Sequence, residues 1–143
     1  MDPARIIADA HAARIQSRAG LLATEPFAVS PTPNQIDAAV RANTAFRRVL
    51  FTGATQLVAM TVTDHIGWEV HPATTQTVVV VTGQGTGTTA STRSGRDRAV
   101  FPLRAGDAWV IEPGTWHDVS GSVQLLVLYT PPHHPIAQVQ EKK

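Results

Sequence analysis

Two histidines, a glutamate and a glutamine carry most of the chemistry this sequence offers. Glu69 and His71 stand one residue apart, so in a strand, where side chains repeat every second residue, they share a face. Gln76 follows the turn-like Pro72-Ala73-Thr74-Thr75, and His117 stands far downstream beside Pro113-Gly114. Brought together, the four offer two oxygens and two nitrogens, a mixture that suits borderline divalent metals. Each has a plainer reading: His71 and His117 as hydrogen-bonded structural residues, Glu69 as the partner of Arg47 or Arg48, Gln76 as a polar neighbour that hydrogen-bonds a ligand histidine. His133 and His134 are adjacent in a Pro-rich segment and point different ways, and His11 and His65 read as surface residues, so none of these is taken as a ligand.

The elements that must position the quartet read as short strands. Residues 47–52, 56–63, 77–82, 86–92, 99–103, 108–111 and 123–130 are enriched in Val, Thr, Leu and aromatics. Gly53, Gly67, Gly83 to Gly85, Ser94 to Asp97, Gly106-Asp107, Pro113-Gly114 and Gly121 punctuate them as turns. Many short strands at this spacing predict an all-β sandwich or barrel. The run from Val78 to Val81 is apolar on both faces, which predicts a central strand. Ahead of the strands, residues 3–22 read as a helix bounded by Pro3 and Gly20, and 23–34 as a Pro-rich connector. Asn34 sits as a cap to a short second helix reaching toward Phe46.

A chain of 143 residues is of single-domain size, enough for one sizeable core. A net charge of +1 with acids and bases intermixed provides no field for nucleic acid or a membrane surface. The absence of cysteine excludes disulfides and thiolate metal sites and fits a reducing compartment. No run approaches a membrane span, and charges interrupt the N-terminus where a secretory signal would be apolar, so the reading is a soluble, cytoplasmic protein.

Residues 35–135 resemble a small single-domain cupin. That family's first motif runs His-x-His, three or four residues, Glu, six residues, Gly; here Glu69-Val70-His71, Gln76 and Gly83 occupy those places. Its second runs Gly-Asp, four residues, Pro, any residue, Gly, two residues, His, and Gly106-Asp107, Gly114 and His117 match it. Thr63 stands where the first motif's leading Gly would be, Glu112 takes the Pro position, Glu69 replaces a His and Gln76 replaces the Glu. The string 67–76, with 114–117 and 131–135, is most similar to an uncharacterised branch of small cupins.

The resemblance implies an all-β antiparallel jelly-roll barrel with one or two short N-terminal helices. With the N-terminal and C-terminal residues read by themselves, the chain divides into three parts: a helix and connector over 1–34, the barrel over 35–135 and a polar tail over 136–143. The resemblance also implies a homodimer. Glu69, His71 and His117 then make a two-histidine, one-carboxylate set for a divalent ion (Mn, Fe, Zn or Ni), with Gln76 as a fourth donor and Glu69 as the catalytic group. Trp116, Tyr129, Phe51 and Met60 are the expected substrate walls. The function expected is a metal-dependent enzyme acting on a small oxygenated or carbonyl-containing molecule, its reaction left open among oxygenase, lyase and isomerase. An amide at Gln76 cannot shuttle protons, which weighs against the isomerase. A non-catalytic barrel holding a sugar or small acid, and a structural dimerisation scaffold, are the competing readings.

Overall fold

The computed structural model describes residues 26–132 and the backbone of the strand Val139–Gln140. The helix expected over 3–22, His11 and the His133-His134 pair lie outside the described residues.

The helix α1 (Pro33–Ala42) starts two residues earlier than a cap at Asn34 would place it. Thr32 is the cap: its hydroxyl accepts from the Gln35 backbone at 3.2 Å, and the Gln35 side chain accepts from the Thr32 backbone at 2.8 Å. Pro33, with no N–H to satisfy, fits the first helical position and so fixes the start. The helix ends at Ala42 rather than near Phe46, because Asn43 is extended and its side chain binds the backbone of Ala45 from both its amide and its carbonyl. Gln124 reaches across from the sheet and donates to the carbonyls of Val40, Arg41 and Asn43, satisfying groups the helix end leaves open. Ala39 and Val40 pack on Leu50 and Ala59 outside the barrel. Among the described residues, no helix is long and apolar enough to cross a membrane.

Among the described residues, eight strands form one antiparallel sheet folded round a common core. They are β1 (Arg48–Thr52), β2 (Gln56–Val62), β3 (Glu69–Val70), β4 (Thr75–Ala90), β5 (Ala99–Arg104), β6 (Ala108–Ile111), β7 (Trp116–Thr130) and β8 (Val139–Gln140). The order β1-β2-β7-β3-β8 is joined to β4 through β7, and β4 carries β5 and β6 on its other edge. The expected all-β antiparallel barrel is the fold observed. Val78 to Val81 is central, with β6 on one side and β7 on the other.

Two expected turns do not exist. Gly83 to Gly85 and Gly121 lie inside the long β4–β7 pair, which runs in register from Thr75↔Thr130 to Ala90↔Trp116 with a bulge between Val80 and Thr82. The bulge switches which β4 residues face inward: Gln76, Val78 and Val80 before it, and by register Gly83, Gly85, Gly87 and Thr89 after it. Glycine is needed there because the backbones crowd, and a Cβ on Gly83 or Gly85 would meet the carbonyl oxygen of Ser122 or Ser120. Gly83 also has φ +84°. Gly83→Ala is therefore expected to destabilise the fold by about 2–3 kcal/mol. Gly106→Ala has comparable strain at φ +97° but open space around it, and should cost less. Denaturant midpoints of the two variants at unchanged m check this.

Candidate metal centre

Inside the barrel, odd-numbered residues of β7 from His117 to Tyr129 face the core, and the core cluster includes Val119, Val123, Leu125 and Val127. The short strand β3 pairs with β7 so that Glu69 is directly opposite His117. His71, one step beyond β3, is tied down where its carbonyl accepts from Gly114 at 3.0 Å. The two motif turns act together here. Asp107 accepts from the Arg104 backbone at the β5–β6 turn, while Gly114, at φ +81°, turns the chain into β7.

The result is a buried triad. Glu69, His71 and His117 are 5%, 3% and 0% exposed, and their donor atoms all lie within 4.8 Å of one another. Glu69 Oε1 is 3.2 Å from His71 Nε2 and 3.3 Å from His117 Nε2. The imidazoles stack at 5.2 Å between centroids.

His117 Nδ1 lies 3.0 Å from the Thr115 carbonyl, which can only accept, so Nδ1 carries a proton. Nε2, buried and without a well-formed hydrogen bond, is then the ring nitrogen that faces the Glu69 carboxylate. A cation between the two, a proton or a metal ion, satisfies both. Burial by itself would raise the Glu69 carboxyl, but the neighbouring His117 and His71 outweigh it and hold it at about 2, so the carboxylate is ionised and able to ligate. The donor set fits a divalent ion.

Gln76 is on the inward face of β4, in register with Tyr129 on one side and Ile111 on the other, 1% exposed, and its Oε1 has no hydrogen bond. Tyr129 meets the His71 ring edge-on at 5.5 Å. Burial, with the Glu69 charge adding to it, pushes its phenol up to about 12 against the opposing effect of Arg47. Met60 lies in the same core, level with Leu125.

Trp116 and Phe51 do not take the wall positions expected of them. Trp116 adjoins His117 in β7 and so projects to the opposite face, where it stacks on Trp68 at 6.0 Å beneath Arg93. Phe51 lies against Gly53 at the β1–β2 turn. The aromatic that meets His117 is Trp109, edge-on at 6.3 Å and itself backed by Phe101 at 4.8 Å. Neither was singled out from the sequence. The available signal was that Trp109 is two residues from the core residue Ile111 and so shares its face. His65 lies half-buried at the surface, its ring between Asp64 at 3.4 Å and Asp118 at 3.7 Å.

An antiparallel barrel of this topology, here with a buried histidine-carboxylate cluster, has the double-stranded β-helix fold. A solved structure from Klebsiella pneumoniae described as containing a double-stranded beta-helix domain matches 83% of this chain and 100% of its own, at TM-score 0.57 and 20% identity. BH2720 from Bacillus halodurans is 30% identical, covering 78% of this chain and 85% of that one, at TM-score 0.66. YrkC of Bacillus subtilis, an uncharacterized protein, is 30% identical over 128 residues, 83% of this chain but 64% of YrkC's length. No protein-family model matches. The chain belongs to the small cupins.

Proposed function

We propose that this cupin holds one divalent metal on Glu69, His71 and His117, with Gln76 as a fourth donor, and acts on a small oxygenated or carbonyl-containing molecule. The observation that carries this reading is the buried approach of three donor atoms within 4.8 Å, with His117 Nε2 among them lacking a hydrogen bond. A bound divalent ion would supply Lewis-acid polarisation of a substrate oxygen. The chain's own residues do the rest. Thr115 orients the His117 ring through Nδ1, as the outer partner of a ligand histidine does. Tyr129 remains a neutral phenol near neutral pH and offers a proton for hydrogen bonding beside His71. Trp109, Ile111 and Val127 keep the interior apolar and strengthen each charge interaction within it.

With an amide at Gln76, Glu69 is the one carboxylate among the four donors, and a carboxyl held at about 2 is a weak base near neutrality. That favours a reaction driven by polarisation or oxygen activation over a proton-shuttling isomerisation. The same weakness supports a second reading, a barrel that binds a small acid without turning it over. Protein purified without chelator or His-tag is expected to carry one equivalent of metal by elemental analysis. Stripping that metal should lower the melting temperature, and restoring it should recover the loss. No metal after purification, and no stabilisation by Mn, Fe(II), Zn or Ni, would refute the proposal. Turnover-linked oxygen consumption, against a ligand-induced melting shift without turnover, separates enzyme from binding barrel.

A further inference from the structure

The triad is shut away from solvent, His117 wholly and Glu69 and His71 all but a few per cent. An ion or small molecule that reaches His117 must therefore displace a side chain on the way.

Trp109 is the side chain placed for this. Its ring meets the His117 imidazole edge-on, at 6.3 Å between centroids and 89° between planes, yet it is itself only half-buried. One indole thus reaches from a donor ring to the solvent. Tyr129, which borders the triad at His71, is buried and offers no such passage. Trp116, next to His117 in the chain, lies on the opposite face of β7 against Trp68.

The surroundings of Trp109 leave its ring able to swing while its backbone stays in place. β6 is bonded to β4 along one edge and to no other strand among the described residues. Val110, which points the other way on β6, is 55% exposed, so solvent lies directly behind the layer that carries Trp109. The start of the strand is pinned: Gly106 donates to the Val80 carbonyl at 2.8 Å, and Val80 donates to that of Asp107 at 2.9 Å. Movement is left to the side chain.

Phe101 on β5 holds the indole edge-on at 4.8 Å and 87°, a contact that two ring edges make and break without disturbing a strand. Gly87 on β4 is directly opposite Phe101. A Cβ on Gly87 would lie 2.5 Å from the Phe101 ring and 3.2 Å from Trp109, so the glycine supplies the space in which the two rings sit.

We infer that Trp109 is the gate to the triad: an ion or small molecule reaches His117 by displacing its indole, which Phe101 holds shut and for which Gly87 leaves room. The opening left by one displaced ring limits the size of what can enter. What the gate serves rests on the metal-centre reading; where the route runs does not.

Carbethoxylation of the metal-free protein by diethyl pyrocarbonate, read residue by residue from peptide masses, measures access to His117 and needs neither metal nor turnover. His65, with its side chain 28% exposed, gives the reference rate in the same sample. Trp109→Ala should raise the His117 rate about tenfold relative to His65, and Trp109→Phe, which keeps a smaller ring at the same place, should raise it less. Val119→Ala opens a cavity in the same interior, and Trp116→Ala removes the tryptophan beside His117 in the chain. Both should leave the His117 rate within about twofold of the parent. A His117 rate unchanged in both Trp109 variants, or raised as much by Val119→Ala or Trp116→Ala, overturns the inference. In manganese-loaded protein, loss of metal to excess EDTA should quicken in the same order of variants, and an order that differs also overturns it. A parent protein that takes up no manganese refutes the metal centre instead, and the carbethoxylation rates still decide the route.

Discussion

Replacing His117 by alanine is expected to abolish stoichiometric metal binding and, with it, any turnover. The ring is fully buried, stacked on His71 and met edge-on by Trp109. Its Nδ1 is committed to Thr115, so Nε2 is the nitrogen available to a metal. Loss of even an outer hydrogen-bonding partner of a ligand histidine costs about 10–100-fold in metal affinity, and loss of the ligand itself should exceed that. Truncation also leaves a cavity beneath Trp109, which should lower the stability of the metal-free protein by about 2–4 kcal/mol. Val119→Ala, two residues on and facing the same interior, controls for the cavity: it should lose stability but keep its metal. Elemental analysis and melting curves on both variants are the check, and a His117→Ala protein with a full complement of metal would sink the centre described above.

The second large effect belongs to Glu69. In the metal-free protein its carboxyl lies at about 2, against an ordinary 4.5, because the imidazoles favour the charged form more than burial disfavours it. A native value below the unfolded one means that the unfolded chain takes up protons first as the solution is acidified. The stabilisation is therefore fully present above about pH 4.5 and is lost as pH falls from there through about 2. At about 1.4 kcal/mol per pH unit, the whole contribution is about 3 kcal/mol. Glu69→Gln should remove it, flattening that part of the acid limb of metal-free stability, and should also release the metal because the sole carboxylate of the triad is gone. Denaturant unfolding of chelator-treated parent and variant between pH 2 and pH 6, a range set by these values, measures it. An acid limb identical in the two proteins would show that Glu69 is not held as an ion.

Much of the architecture was legible because strands announce themselves by composition and period. The segment 108–111 matches β6 residue for residue, and the doubly apolar stretch at Val78 correctly marked a strand covered on both sides. Glycine misled, since it marks both turns and places where two backbones press together. Gly83, Gly85 and Gly121 belong to the second kind, and local sequence does not distinguish them. Thr32 and Asn34 are both good caps, and the position of Pro33 decided between them. Trp116 was mistaken for a wall because nearness to His117 in the chain was read as nearness in space, whereas adjacent residues of a strand face apart.

By itself, the sequence determined the donor types, the one-residue spacing that puts Glu69 and His71 on one face, and the turn chemistry at Gly106-Asp107 and Pro113-Gly114. The tertiary structure decided what those donors meet. Glu69 is opposite His117 because β3 pairs with β7 on the edge that faces away from β4, and a slip of one residue would turn His117 outward. The pairing of β1 with β2 and of β2 with β7, rather than anything in residues 47 or 129 read alone, lays Arg47 over Tyr129. Register depends on every packed strand at once, and so is not encoded in any single stretch of the chain.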